Sequence, residues 1–263
     1  MKIGVFDSGL GGLTVVKAIS EKFKGADIFY IADTQYAPYG DKTQNEIKQR
    51  CVQITEFLIN KHNIEALIVA CNTATSAAIK YLRQTYKELI VIGTEPGIKP
   101  ALSLTKSSHV AVLATKATLK GEKYQQLVKQ LSEGKNITLY EKACVGLVEQ
   151  IEKGEINSEQ TYNMLNNWLL PMKKNGVDTI VLGCTHYPLV SEIIKDIMGN
   201  EINLIETGEA IANRLIYLSS LKGHNDIKPL KISICHTGDI NKNMINKIFK
   251  NYKNKIEIRK CKI

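Results

Sequence analysis

Leu67-Ile68-Val69-Ala70-Cys71-Asn72-Thr73 runs from apolar, largely β-branched residues into a thiol and then into amide and hydroxyl side chains. A short unbroken apolar run of this kind reads as a strand buried on both faces, and the polar residues after it read as the opening of a helix. Ile180-Val181-Leu182-Gly183-Cys184-Thr185-His186 repeats the design. Each segment sets a cysteine just past the end of a strand, in front of fresh backbone N–H groups. A matched pair suggests chemistry done from two sides, with one base taking a proton from a carbon and the other returning one to its opposite face.

Outward from these segments the chain keeps alternating. Apolar runs fall at 3–6, 28–32, 66–70, 90–93, 110–113, 179–182, 202–205 and 231–235, with amphipathic stretches between them. In 47–60, for example, Cys51, Ile54, Phe57 and Leu58 recur at helical spacing. Strands alternating with helices predict an α/β fold, a mostly parallel sheet flanked by helices, with ligands beyond the carboxyl ends of the strands. Ile3-Gly4-Val5-Phe6-Asp7-Ser8 has a counterpart in Val110-Ala111-Val112-Leu113-Ala114-Thr115, and a cysteine-bearing strand follows each at a similar interval. The expectation is two similar α/β lobes with the active site in the cleft between them. Lobe one takes 1–95 and 209–263 and carries Asp7, Ser8 and Cys71. Lobe two takes 96–208 and carries Thr115, Glu152, Cys184 and His186. The first crossing falls in Thr94-Glu95-Pro96-Gly97-Ile98-Lys99-Pro100, whose prolines and glycine break regular structure, and the return falls near Glu206-Thr207-Gly208.

Composition narrows the class. With 44% hydrophobic and 23% charged residues in 263, the chain reads as an ordinary globular protein. No window approaches the ~18 uninterrupted apolar residues of a membrane span, so no membrane partner is expected. Residues 1–8 pass directly into a strand-like run, without the apolar stretch and cleavage site of a secretory signal. The six cysteines (51, 71, 144, 184, 235 and 261) are too sparse for a disulfide scaffold and show no C-x-x-C spacing. Free thiols in a reducing cytoplasm are expected, and no metal site. The net charge is +9, from 35 Lys+Arg against 26 Asp+Glu, and much of the excess lies in Lys242, Lys247, Lys250, Lys253, Lys255, Arg259, Lys260 and Lys262. Nucleic-acid readers lean on arginine, and here the arginines are Arg50, Arg83, Arg214 and Arg259. A solvated lysine-rich surface is the ordinary reading, and nucleic acid is not the expected partner.

Several turns carry chemistry. Asp7-Ser8-Gly9-Leu10-Gly11-Gly12 lacks the spacing of a dinucleotide fingerprint or a P-loop, and its bland reading is a tight turn needing positive φ. That reading leaves unexplained an acid and a hydroxyl at the turn itself; an Asp beside a thiol can accept its proton or orient it. A helix N-terminus lowers a thiol pKa from about 8.5 toward the range where thiolate is populated. A buried cysteine is otherwise just a small hydrophobe. His186, two residues beyond Cys184, can act as proton relay or charge partner. Asn72, Thr73 and Thr185 supply neutral donors suited to a carboxylate or enolate-like oxyanion. Asp33-Thr34-Gln35-Tyr36-Ala37-Pro38-Tyr39-Gly40 reads as a turn, or as a shaped loop with backbone N–H groups and Tyr39 closing over a ligand. Thr115 and Thr118 occupy the turn equivalent to that of Ser8. Glu152 lies on a helix after Cys144, where local sequence suggests only a surface carboxylate.

Taken together, Asp7-Ser8-Gly9-Leu10-Gly11-Gly12, Pro38-Tyr39-Gly40, Cys71-Asn72-Thr73-Ala74, Thr115-Lys116-Ala117-Thr118 and Gly183-Cys184-Thr185-His186-Tyr187-Pro188 resemble the aspartate/glutamate racemase family, and within it the bacterial enzymes acting on glutamate. The resemblance runs along essentially the full chain. It implies a cofactor-independent racemase that supplies D-glutamate for peptidoglycan. It implies Cys71 and Cys184 as the two catalytic bases, Asp7 as assistant to the first, and His186 with Glu152 as assistants to the second. It implies substrate contacts at Asp7, Ser8, Pro38, Tyr39, Gly40, Asn72, Thr73, Thr115, Thr118, Thr185 and His186. Where such enzymes carry an apolar, proline-containing run before the glutamate, this chain has Val148-Glu149-Gln150-Ile151. Glutamate is the expected small-molecule partner, and pairing into a homodimer is open to such an enzyme. The rival readings are an aspartate racemase, a zinc hydrolase liganded by Cys71, Cys184 and His186, and a non-catalytic sensor of amino acids or phosphate.

Overall fold

The computed structural model describes residues 1–132, 137–224 and 227–263. The chain begins with β1 (Lys2–Asp7), α1 (Leu13–Lys22), β2 (Asp27–Ala32), α2 (Gln44–His62), β3 (Ala66–Val69), α3 (Asn72–Thr85) and β4 (Ile90–Gly93). It continues with α4 (Ile98–Leu104), β5 (His109–Ala114), α5 (Lys116–Lys120), α6 (Glu122–Ser132), β6 (Thr138–Ala143), α7 (Leu147–Lys153), α8 (Glu159–Lys174), β7 (Thr179–Gly183), α9 (Ser191–Met198) and β8 (Asn203–Ile205). It closes with α10 (Gly208–Leu221), β9 (Lys231–His236), α11 (Lys242–Ile248) and β10 (Ile256–Lys260). Two compact units result: Met1–Thr94 with Gly208–Ile263, and Glu95–Thr207.

The discontinuous unit holds a six-stranded sheet in the order β10-β9-β2-β1-β3-β4, and the continuous unit a four-stranded one in the order β6-β5-β7-β8. Every neighbouring pair is parallel. All residues of β3 and β7 are buried, as expected of strands covered by helices on both faces. Successive strand residues point to opposite faces, and β5 shows the consequence. Its Ala111 and Leu113 join Leu165, Leu169, Ile180 and Leu182 on one side. Its Val110 and Val112 join Ile98, Ala101 and Val181 on the other. In the discontinuous unit Phe6, Ile31, Ile47, Ile54, Leu67 and Val69 form the core with α2 and α3. The internal repeat survives as topology: β1 lies beside β3 as β5 lies beside β7.

Each apolar run anticipated as a strand is one. Thr43 and Glu46 close a capping box that starts α2 earlier than the apolar periodicity suggested. The sequence reading missed β6 and β10, both edge strands. They carry Glu141 and Lys142, and Glu257, Arg259 and Lys260, and charge on an edge strand breaks apolar alternation while discouraging edge-to-edge pairing. Cys51, Cys71, Cys144 and Cys184 are free. Parallel pairing of β9 with β10 brings Cys235 and Cys261 side by side, Cα–Cα 5.8 Å, which spacing along the chain does not reveal. One expectation is corrected. The Asp7–Gly12 turn does not need positive φ, since Gly12 has φ −61°. It needs room: a Cβ on Gly12 would lie 2.7 Å from Asp7 Cβ and 2.8 Å from the Tyr30 hydroxyl.

Candidate active site

The carboxyl edge of the six-stranded sheet carries one continuous row of residues. Pairing extends past the strand ends through Thr237 N–H to Ala32 O (3.0 Å), Asp33 N–H to Asp7 O (2.9 Å) and Ala70 N–H to Phe6 O (2.8 Å). Thr237, Asp33, Asp7 and Cys71 therefore sit at the same end of β9, β2, β1 and β3. Asp7 is fully buried, and its Oδ2 accepts from Gly12 N–H at 2.8 Å, which ties the acid to the first turn of α1. Ser8 follows it, also buried.

Cys71 caps α3, with Asn72 and Thr73 in that helix's first turn, and all three are buried. The turn is fixed from behind. Thr94 and Thr75 hydroxyls both donate to Val69 O, at 2.8 and 3.1 Å, and Thr94 N–H donates to Thr75 Oγ1 at 2.9 Å. Asn72 Nδ2 reaches Thr94 O at 3.4 Å, while its buried Oδ1 has no hydrogen-bond partner among the described residues.

Pro38, Tyr39 and Gly40 lie where β2 leads into α2, with Tyr39–Asp41 forming a 3-10 turn. The Tyr39 ring is buried in the core beside Cys51 and Cys71, and its hydroxyl donates to Asp33 Oδ2 at 2.7 Å. Burial, then the Asp33 charge, pushes this phenol well above its ordinary value, so it remains a donor.

In the continuous unit, Thr115, Cys144 and Cys184 follow β5, β6 and β7 at their carboxyl ends. Thr115 caps α5, accepting from Thr118 N–H at 3.2 Å, and the two hydroxyls lie 2.9 Å apart. A helix opening directly behind each cysteine is correct for Cys71 and is corrected for Cys184. Thr185 and His186 lead into a 3-10 turn, Tyr187–Val190, and α9 starts only at Ser191. Pro188 occupies that turn, where its fixed φ suits helical starts. Cys184 Sγ lies 3.8 Å from His186 Nδ1, and His186 Nε2 lies 2.5 Å from Glu152 Oε1. Burial alone lowers His186, but hydrogen bonds to Cys184 and Glu152 and the Glu152 charge override it and hold the imidazole well above its ordinary value. Thr185 is buried in the same turn.

The sequence reading overlooked a layer behind these groups. Thr75, Thr94 and Thr237 hold the strand ends, and Arg50 pairs with Asp33 inside the protein. Tyr187 is fully buried beside Cys184 and Cys144, and burial pushes the Cys144 thiol up to about 12. One signal was readable: Arg50 falls on the apolar face of α2, at helical spacing from Ile47 and Ile54. Among the described residues, no group of three or more His, Cys, Asp or Glu side chains is placed to hold a metal ion. None of the described helices is long and apolar enough to cross a membrane.

Parallel sheets that carry buried acids, thiols and a His–Glu pair at their carboxyl edges describe an acid–base enzyme without a nucleotide-binding turn. A sequence model of the Asp/Glu/Hydantoin racemase family matches residues 3–215, and the chain belongs to that family. It is 62% identical to the glutamate racemase of Aliarcobacter butzleri (strain RM4018) over 263 residues, covering 100% of both chains. Among solved structures, Escherichia coli glutamate racemase in complex with L-glutamate and the activator UDP-MurNAc-Ala matches with TM-score 0.86 at 27% identity, over 98% of this chain and 97% of the other. Francisella tularensis glutamate racemase in complex with D-glutamate matches with TM-score 0.81 at 28% identity, over 100% and 97%.

Proposed function

We propose that this chain is an isomerase that interconverts L- and D-glutamate without a cofactor, working in the cytoplasm and supplying D-glutamate for peptidoglycan. The observation that carries the reading is the end-to-end 62% identity to a glutamate racemase. The site chemistry supports a two-base scheme. One cysteine thiolate takes the α-proton and becomes a thiol, while the other thiol gives its proton to the opposite face and becomes a thiolate. In the reverse direction the roles exchange, and after each turnover the two sulfurs must trade protonation states through their neighbours or solvent.

The neighbours suit that duty. Cys71 faces the N-terminus of a helix whose dipole favours an anion there. Asp7, at the end of the adjacent strand, is the proton manager for that side. Cys184 has a protonated imidazole for company, with Glu152 holding the ring. The Asn72 amide oxygen suits the substrate ammonium. The backbone of Tyr39 and Gly40, with the Ser8, Thr73, Thr115, Thr118 and Thr185 hydroxyls, suits its carboxylates. Positioned bases contribute roughly 10²–10⁴-fold, and fixed dipoles around the developing carbanion supply much of the remainder.

The test is L-glutamate in D₂O, followed by polarimetry and by deuterium at Cα. Cys71→Ser and Cys184→Ser are each expected to fold and to abolish racemisation. Racemisation by either variant at near the parent rate ends the two-thiol scheme. Racemisation of aspartate and not glutamate moves the substrate assignment.

A further inference from the structure

The Asp33–Arg50 pair is a buried, many-partnered polar contact in the discontinuous unit, and the chemistry above does not use it. Asp33 is fully buried and Arg50 nearly so. The guanidinium fork is two-pronged, Nε to Oδ2 at 2.9 Å and Nη2 to Oδ1 at 2.7 Å. Each carboxylate oxygen takes a second donor, the Tyr39 hydroxyl on Oδ2 at 2.7 Å and the Thr237 hydroxyl on Oδ1 at 3.0 Å. The remaining nitrogen of Arg50, Nη1, donates to Gln53 Oε1 at 3.1 Å and to Ile263 O at 2.9 Å. The Tyr36 ring covers the guanidinium, 4.2 Å from its carbon. One carboxylate thus gathers α2, the turn after β2 and the turn after β9.

Stability alone does not call for this arrangement, because apolar residues of similar volume commonly stabilise a core as well as a buried ion pair does. Its location is the informative part. Asp33 N–H is bonded to Asp7 O, and Tyr39 packs beside Cys71. We infer that Arg50 is a positioning residue: by orienting Asp33 it fixes the Tyr39 hydroxyl, and with it the Pro38–Gly40 turn and the wall against which Cys71 sits. The inference rests on the reading of that turn as a substrate contact, and it also makes a claim about Cys71 that stands without it.

Lysine keeps the charge at position 50 but offers no planar fork, so Arg50→Lys is the informative variant. Tyr39→Phe removes only the oxygen that Asp33 holds. Steady-state racemisation, thermal melts and iodoacetamide alkylation of each cysteine, read by mass spectrometry, are measured together. Arg50→Lys is expected to raise KM for glutamate by about 10-fold or more with a smaller change in kcat, the pattern of lost ground-state contact. Tyr39→Phe is expected to shift KM in the same direction, and the double variant to be less than additive. Cys71 alkylation is expected to change about 5-fold or more while Cys184, in the other unit, keeps its parent rate. A purely structural pair lowers the melting temperature and leaves KM, kcat and Cys71 alkylation at parent values; that result in Arg50→Lys overturns the inference. Should Arg50→Lys not fold, the near-isosteric Tyr39→Phe decides by the same readings. Should the parent not racemise glutamate, the functional reading fails by itself, and Cys71 alkylation alone decides the role of Arg50.

Discussion

At the scale of single residues, His186 sits in surroundings far from those of an imidazole in water. It is buried, yet its partners Cys184 and Glu152 hold it charged above the ordinary 6.5. A histidine raised in the folded state contributes stability that is complete below its unfolded value and is lost as pH rises through its folded value. The parent protein is therefore expected to lose melting temperature as pH climbs beyond the ordinary histidine range. In Glu152→Gln, with one raising partner gone, that loss should end at lower pH and be smaller in total. Melts across pH, with ¹⁵N spectra of the imidazole, check this; identical profiles for parent and variant would mean that Glu152 does not govern His186. The family resemblance named Glu152 and His186 together, but the local sequence did not. Glu152 and His186 lie on different elements, and only the fold carries the carboxylate to the ring.

Single elements explain which parts of the fold could be read and which could not. Strands β3 and β7 were plain because burial on both faces demands unbroken apolar sequence. Strands β6 and β10 were hidden because edges tolerate and favour charge. The helix behind Cys71 was readable from Asn72 and Thr73. The tight turn behind Cys184 was not, although Pro188 marked it. Arg50 was visible only as an inconsistency, a cation on an apolar helix face, and such local conflicts tend to mark sites under functional demand. One element start yields a further expectation. Asp178, just before β7, accepts from the Thr105 hydroxyl at 2.6 Å, from Lys106 and Ser107 N–H at 2.7 Å each, and from the Thr179 hydroxyl at 2.9 Å. Burial opposes ionisation, but these bonds hold the carboxyl down at about 2, against an ordinary 3.8. A lowered carboxylate stabilises fully above its unfolded value and ceases to do so as pH falls through its folded value. The parent should thus lose stability between about pH 4 and pH 2 by this route. Asp178→Asn should be less stable at neutral pH and lose less across the acid window, as acid titration followed by circular dichroism would register. A variant that tracks the parent through that window removes Asp178 from the account.

For the molecule as a whole, the division at Thr94 and Gly208 makes one unit contiguous and the other split. Every pairing in the four-stranded sheet forms within Glu95–Thr207, whereas β9 must travel back to pair with β2 across most of the sequence. Contacts between distant residues are slow to form because the chain between them must first be closed into a loop. In pulse-labelled hydrogen exchange during refolding, amides of β5 and β7 should gain protection before those of β9 and β2. Simultaneous protection of all four strands would show that the units fold as one.

The same order has a cost during synthesis on the ribosome. Emerging from the exit tunnel first, β2 has β1 on one side and an unsatisfied row of amides and carbonyls on the other until residues 231–236 follow. That nascent edge is open to pairing with other chains for as long as translation of the intervening segment takes. Polypeptides cut short before β9 should therefore be the ones that aggregate or recruit chaperones. The Thr237 hydroxyl that completes the donor set around Asp33 also arrives only with β9, so the buried acid waits for the end of the chain to be fully satisfied.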